Sequence, residues 1–355
     1  MKSMKRLLSI IFAFIMVLNL SSCKSSKNDD GVVRGQVHEN DYIALVTDLS
    51  GIDDVGDNAL AWKGMQRARD ELGFDIEYLE SFSQDDYRKN IEYFTRCALD
   101  MLFCMNFEMA SAVEEIAHLY PDECYAMINY TFDKVPQNVL CIEFEDQEGA
   151  FVEGYLAAYK TETNKVGVIG SVKSWIIGAY EYGFRAGVAA AAKELGKDIT
   201  VDVEYVGSFY DEETAKEKAD KMYQNGVDII FSAFNGIGGK GVEDSAVENN
   251  KYLIGVEYSE DIVPENLLSW TSRDIDKVVF NIAKEIKEVD AVKEITGQSR
   301  CLGMADDAVS IAEKTKTMVS EEIMNKLNEV QNKIKNKEID PPWDEDSFEK
   351  FMQEI

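Results

Sequence analysis

Residues 42–73 read YIALVTDLSGIDDVGDNALAWKGMQRARDELG. The run Tyr42 to Val46 is apolar throughout and gives way at Thr47-Asp48 to an acidic turn. Beyond the turn, Ala61, Met65, Ala68 and Leu72 recur at helical spacing. This is the pattern of a buried parallel strand that delivers a loop to the start of a helix. In open α/β sheets ligands bind beyond the carboxyl ends of such strands, so the turn is the first candidate for a binding site.

Outward from this unit the pattern repeats. Strands are expected at Asp75–Leu79, Met101–Met105, Cys124–Ile128 and Val139–Phe144, with helices over Tyr87–Cys97 and Ser111–Leu119. A second series follows: strands at Lys165–Gly170, Val201–Val206, Asp228–Phe231, Tyr252–Val256 and Leu267–Thr271 alternate with helices. Two βα series of this kind predict an α/β protein of two Rossmann-like lobes with a central ligand cleft. Lobe 1 is read as 41–145 plus about 274–300. Lobe 2 is read as 146–273 plus about 301–355, the latter supplying closing strands and a C-terminal helix. The charged amphipathic stretch Ser320 to Glu338 reads as a helix packed on a lobe, since its apolar period does not persist over several heptads.

The N-terminus has a different character. Lys2, Lys5 and Arg6 precede an apolar segment from Leu7 to Leu20, and Leu20-Ser21-Ser22-Cys23 reads as a lipobox. Residues 1–22 are therefore expected to be a lipoprotein signal peptide, with Cys23 lipidated and 23–40 a flexible tether. An ordinary signal peptide and a retained anchor are the rival readings. The apolar segment is short for a span of roughly 20 residues. Stable anchoring takes more than one acyl chain.

The chain carries 37 basic and 66 acidic residues. That balance argues against nucleic acid as a partner, because phosphate binding relies on clustered Lys and Arg. Catalysis has little support. There are two histidines, His38 in the tether and His118 late in a helix, and no G-x-S-x-G elbow. The loop at Lys240 lacks the spacing of a phosphate-binding loop. Asp48, Asp53, Asp54 and Asp57 lack the calcium-loop spacing, and no Cys/His spacing suggests another metal. Neither a metal nor a cofactor is expected.

The motifs now in view are Val46-Thr47-Asp48, Gly51-Ile52-Asp53-Asp54, Asn58, and Ala61-Trp62-Lys63-Gly64. Further along come Glu148-Gly149-Ala150-Phe151, Gly154-Tyr155-Leu156-Ala157-Ala158, Gly183-Phe184-Arg185-Ala186-Gly187-Val188, Tyr205-Val206-Gly207-Ser208-Phe209 and Ile254-Gly255-Val256. In this order the chain resembles the basic membrane protein family, the PnrA-like or Med-like substrate-binding lipoproteins of ABC transporters. The resemblance implies a type I periplasmic-binding-protein-like fold with three crossovers. It also implies capture of a nucleoside, a purine nucleoside first, for an ABC permease. The protein would be a monomer held by its lipid anchor on the extracytoplasmic face of the cell membrane.

The resemblance also implies ligand residues. Asp48 falls where the family holds ribose hydroxyls, and Asn58 matches a family asparagine. Asp57 stands where the family carries a base-stacking phenylalanine, a departure, since a carboxylate offers no π-face. Phe231 falls on a second stacking aromatic, with ordinary core packing the competing reading, and Gly236 on a glycine pair that lets backbone approach the ligand. Glu257 replaces a ribose-binding aspartate, Arg273 a cationic lysine, and Asn129 a position that often holds Asp. Phe107, Phe234, Trp175, Tyr258 and Trp270 are candidate replacement platforms, with hydrophobic packing the competing reading for each. Two other functions share this fold: a ligand-sensing or regulatory lipoprotein not coupled to a permease, and a surface antigen in which the fold is scaffolding.

Overall fold

The computed structural model describes residues 26–27, 33–34, 40–53, 56–258, 264–289 and 291–355. The expected signal peptide, Cys23 and His38 lie outside these residues, as does all but a few residues of the tether. No helix among the described residues is long and apolar enough to cross a membrane.

The first sheet holds β1 (Tyr42–Val46), β2 (Asp75–Leu79), β3 (Met101–Met105), β4 (Tyr125–Ile128), β5 (Val139–Phe144) and a late strand, Gln298–Leu302. Across the sheet they run in the order Gln298–Leu302, β5, β4, β3, β1, β2, and every pairing is parallel. β1 and β3 are buried along their whole length, which explains their unbroken apolar runs. The second sheet holds β6 (Lys165–Gly170), β7 (Thr200–Tyr205), β8 (Ile229–Ser232), β9 (Tyr252–Val256), β10 (Leu267–Arg273) and Val309–Ile311. Its order is Val309–Ile311, β10, β9, β8, β6, β7, with only the Val309–Ile311 pairing antiparallel.

The chain passes between the sheets three times. It crosses at Glu145 into the helix Asp146–Lys160, returns after Arg273 into the helix Ile275–Glu288, and crosses again between Leu302 and Val309. Backbone hydrogen bonds tie the three passages together: Glu145 N donates to Leu302 O at 3.0 Å, and Asp274 N donates to Ala308 O at 2.8 Å. The fold is that of two α/β lobes joined by three adjacent strands of chain.

Two helices form the base of the second lobe, Asp146–Lys160 and Trp175–Leu195. They pack backbone to backbone, and the glycines of the sequence motifs make this possible. A Cβ added to Gly187 would sit 2.0 Å from Phe151 O, and one on Gly154 would sit 2.2 Å from Phe184 O. The helix Glu321–Lys335 lies against this base through Leu327, Val330 and Ile334, all buried. A last helix, Glu345–Glu354, caps the base with Phe351 edge-on to Phe151 and Phe348 against Tyr182.

Candidate functional site: a cleft between the strand ends

The carboxyl ends of both sheets face a common cavity of about 610 Å³. Every segment that reaches it leaves a strand or opens a helix. Asp48 lies two residues beyond β1, while Asn106, Asn129 and Glu257 are the residues directly after β3, β4 and β9. These last three have positive φ, at 63°, 65° and 54°. Asparagine tolerates positive φ in the left-handed helical region, but Asn106, with ψ 161°, lies outside that region, and a glutamate at positive φ is strained; such strain concentrates at binding sites.

Asp48 is held firmly. Its Oδ1 accepts from Asn58 Nδ2 at 2.8 Å and from Ser50 N at 2.8 Å, and its Oδ2 accepts from Asn106 Nδ2 at 2.5 Å. Asn58 Oδ1 in turn accepts from Asp48 N at 3.2 Å. The polar chain continues across the first lobe. Asn129 Nδ2 donates to Asn106 Oδ1 at 2.9 Å and to Asp57 Oδ2 at 2.5 Å. Asp57 opens the helix Asp57–Leu72, where the N-terminal dipole favours a carboxylate.

The opposite wall is built by the second lobe. Glu257 Oε1 accepts from Arg273 N at 3.0 Å, and Asn235 Nδ2 donates to Glu257 O at 3.1 Å. Gly236, at φ 69°, opens the helix Gly236–Glu248, and a Cβ there would meet open space. Arg273 ends β10. Its Nε and Nη2 hold both oxygens of the buried Asp146, at 2.8 and 2.6 Å, and Tyr180 Oη donates to the same carboxylate at 3.1 Å. Burial works against the Arg273 charge, but the Asp146 carboxylate outweighs it and keeps the guanidinium well above its ordinary range. Burial, reinforced by the Asp57 charge and opposed by Arg273, pushes the Glu257 carboxyl well above the usual range. Burial and the Asp48 charge push Glu108 the same way.

Asp48, Asp57, Asn129, Gly236, Glu257 and Arg273 thus converge on one cavity. Two other sequence candidates do not line it. Asn58 is fully buried, with both ends of its amide turned to Asp48, so it supports the wall from behind. Phe231 is a correction to the expectation of a stacking platform: it is fully buried and stacked on Phe184, with ring centroids 4.9 Å apart. β8 runs one residue further, to Ser232, and the aromatic that reaches the cavity is Phe234 in the loop beyond. Of the other platform candidates, Phe107 lines the cavity. Trp175 is exposed but is not part of its wall, and Tyr258 and Trp270 pack on each other. Asn106, Tyr180 and Phe209 line the cavity without having been singled out. Asn106 follows an unbroken apolar strand as Asn129 does, a signal the sequence carries; Tyr180 is concealed inside a helical pattern. Among the described residues, no group of three or more His, Cys, Asp or Glu is placed to hold a metal ion.

The family model described as "ABC transporter substrate-binding protein PnrA-like" matches residues 43–345. The chain belongs to this family. It is 30% identical to basic membrane protein A of Borreliella burgdorferi, over 88% of this chain and 91% of that protein. It is 31% identical to the ABC transporter nucleoside-binding protein BmpA of Lactococcus lactis, over 83% and 85%. Among solved structures, an ABC transporter solute-binding protein of Aeropyrum pernix aligns with a TM-score of 0.69 at 20% identity, over 88% of this chain and 97% of that one. PnrA-like proteins are substrate-binding components, and the two-lobed fold seen here is the type I fold of solute-binding proteins.

Proposed function

We propose that this protein captures a nucleoside, a purine nucleoside first, for an ABC importer. The observation that carries this reading is Asp48. A cavity-lining carboxylate is fixed by three donors just beyond an interior strand, where it can accept hydrogen bonds from the paired hydroxyls of a ribose. The family membership and the nucleoside-binding name of the Lactococcus lactis relative support the same ligand class.

Capture proceeds by closure. The ligand first meets one lobe, and bending at the three passages brings the other lobe over it. Exposed apolar side chains stand on or beside the segments that line the cleft: Leu49 and Phe107 on the first lobe, Trp175, Phe209, Tyr210 and Ile237 on the second. Closure would remove part of that surface from water, at roughly 25 cal/mol per Å². The closed form would then engage a permease, while a lipid on Cys23 and the tether that follows keep the protein at the extracytoplasmic membrane face as a monomer. Catalysis is no part of this reading.

Thermal-shift screening of the protein against ribonucleosides, their 2′-deoxy counterparts, free bases and sugars tests it. Ribonucleosides should raise the melting temperature and the 2′-deoxy forms should do so less. A screen in which no purine nucleoside shifts the transition would end the nucleoside reading.

A further inference from the structure

Asp57 and Asp48 are the two ends of one hydrogen-bonded row. Asn129, Asn106 and Asp48 stand just beyond β4, β3 and β1, which are neighbours in that order in the first sheet. Adjacent strands lie about 4.8 Å apart, so side chains at their ends can reach one another. Asn129 Nδ2 donates to Asp57 Oδ2 at 2.5 Å and to Asn106 Oδ1 at 2.9 Å, and Asn106 Nδ2 donates to Asp48 Oδ2 at 2.5 Å. The row closes on itself, because Asp57 is followed in the chain by Asn58, whose amide donates to Asp48 Oδ1 at 2.8 Å. The first turn of the helix Asp57–Leu72 therefore grips Asp48 twice, directly through Asn58 and at a distance through Asp57.

The row has a single consistent polarity. A carboxylate only accepts, so each acid fixes the nitrogen of the amide beside it, and the middle bond then runs from nitrogen to oxygen. Turning either amide over would set like atoms against each other at both of its contacts. Both hydrogens of Asn129 Nδ2 are spent, one on Asp57 and one on Asn106. The Asn106 backbone, at φ 63° and ψ 161°, does not hold that side chain by preference; a strained residue persists only where its surroundings fix it. Asp57 is the firm end of the row, since its charge is favoured at a helix N-terminus. Asn58 and Ser50 hold Oδ1 of Asp48, whereas the row holds Oδ2.

We infer that Asp57 is a positioning residue of the cleft: it steadies Asn129, Asn129 orients Asn106, and Asn106 sets the second oxygen of Asp48 for the ligand. The inference rests on the nucleoside reading for what Asp48 binds, and it gives a role to the aspartate that stands where a stacking platform was expected. Asp57 lines the cavity, yet its influence falls on recognition of the ribose hydroxyls and passes through two amides. What the row needs at position 57 is an acceptor oxygen, which an asparagine also supplies.

Two measurements on the full chain test this. Calorimetry with adenosine, guanosine and their 2′-deoxy forms gives the ratio of ribo to deoxy affinity in the parent, Asp57→Ala, Asp57→Asn, Asn106→Ala and the Asp57→Ala, Asn106→Ala double variant. The ratio should fall about threefold or more in Asp57→Ala, the scale of one hydrogen bond, and stay within about twofold of the parent in Asp57→Asn. The double variant should have the ratio of Asn106→Ala alone, because the path from Asp57 is already cut. Denaturant unfolding of the same proteins needs no ligand. The effects of Asp57→Ala and Asn106→Ala on the unfolding constant should depart from independence by about twofold or more, as for residues in one hydrogen-bond network. Circular dichroism establishes that each variant is folded, and Asn129→Ala, which cuts the row in its middle, repeats both measurements if Asp57→Ala is not. Equal ratios in the parent and Asp57→Ala, or an equal fall in Asp57→Ala and Asp57→Asn, overturn the inference while the nucleoside reading stands. Independent effects on unfolding overturn it whatever the ligand. If no nucleoside binds the parent but the unfolding effects are coupled, the nucleoside reading falls and the hold of Asp57 on Asp48 stands.

Discussion

Arg273 and Asp146 join two of the three passages between the lobes through a buried, two-pronged ion pair. Arg273 is the last residue before the chain leaves the second sheet, and Asp146 is the first helical residue after it enters that lobe. The contacts of 2.8 and 2.6 Å form a fork that a lysine cannot reproduce. The same guanidinium borders the ligand cavity. The pair therefore links the floor of the cleft to the hinge.

Breaking the pair from one side leaves a charge buried without its partner. Asp146→Asn should lower unfolding free energy by about 3–5 kcal/mol, because the Arg273 charge remains and Tyr180 keeps only an amide to bond. Arg273→Lys should lose less, since a single charge contact survives. Denaturant unfolding of the two variants beside the parent measures the difference. Equal stability of Asp146→Asn and the parent would show that the pair has no structural role.

Asn58 supplies a separate test of how the site is held. It does not line the cavity, yet it contacts Asp48 twice. Asn58→Ala should cost about 1–3 kcal/mol of stability, because the buried Asp48 N–H loses its side-chain acceptor and Asp48 Oδ1 keeps only Ser50 N of its two donors. It should also weaken ligand binding, because Asp48 loses the group that fixes one of its oxygens. Calorimetry and thermal melting on the same sample separate the two effects. Undiminished affinity in a destabilised variant would mean that Asn106 and Ser50 suffice to hold Asp48.

Glu153 predicts a pH dependence unconnected with the ligand. Its side chain is fully buried in the helix Asp146–Lys160. Oε1 accepts from Ser269 Oγ at 2.6 Å, and Oε2 has no partner. Burial pushes this carboxyl up to about 8, with the Ser269 hydrogen bond opposing. The sign follows from proton counting. Between the ordinary glutamate range near about 4.3 and the raised value, the folded form holds more proton than the unfolded one. Stability therefore falls as pH rises through that window, by an amount on the order of a few kcal/mol from this group. Glu153→Gln should flatten that part of the stability profile in chemical denaturation run from pH 5 to pH 8, on the scale of about one pH unit per step. An identical slope in both proteins would mean that Glu153 is not the group responsible.

Much of this architecture is legible in the chain. Met101–Met105 and Tyr252–Val256 match their strands residue for residue, because a strand covered on both faces leaves an unbroken apolar run. The site residues at strand ends follow from the same logic. Asp48, Asn129 and Glu257 each stand where an apolar run gives way to a polar side chain, which is where a parallel sheet presents its ligand edge. What escaped the sequence did so for local reasons. Gln298–Leu302 lies at the edge of its sheet and is largely open to solvent, so QSRCL carries neither an apolar run nor a clean alternation. Phe231 closes an apolar run but not its strand, so its ring packs inward while the loop three residues on meets the cavity. No sequence motif singles out Asp146, and only the fold brings Arg273, distant in sequence, onto both of its oxygens.

The central claim is that Asp48 anchors the ribose of a captured nucleoside. Titration calorimetry of adenosine and guanosine into the parent and into Asp48→Ala tests it most directly, with the 2′-deoxy forms alongside. The parent should bind at least one ribonucleoside with one-to-one stoichiometry. The variant should lose about 1.5–3 kcal/mol of that binding, the worth of hydrogen bonds to a charged group. The 2′-deoxy form should already be weak in the parent and lose little more in the variant. An affinity that is the same in the parent and in Asp48→Ala would contradict the claim.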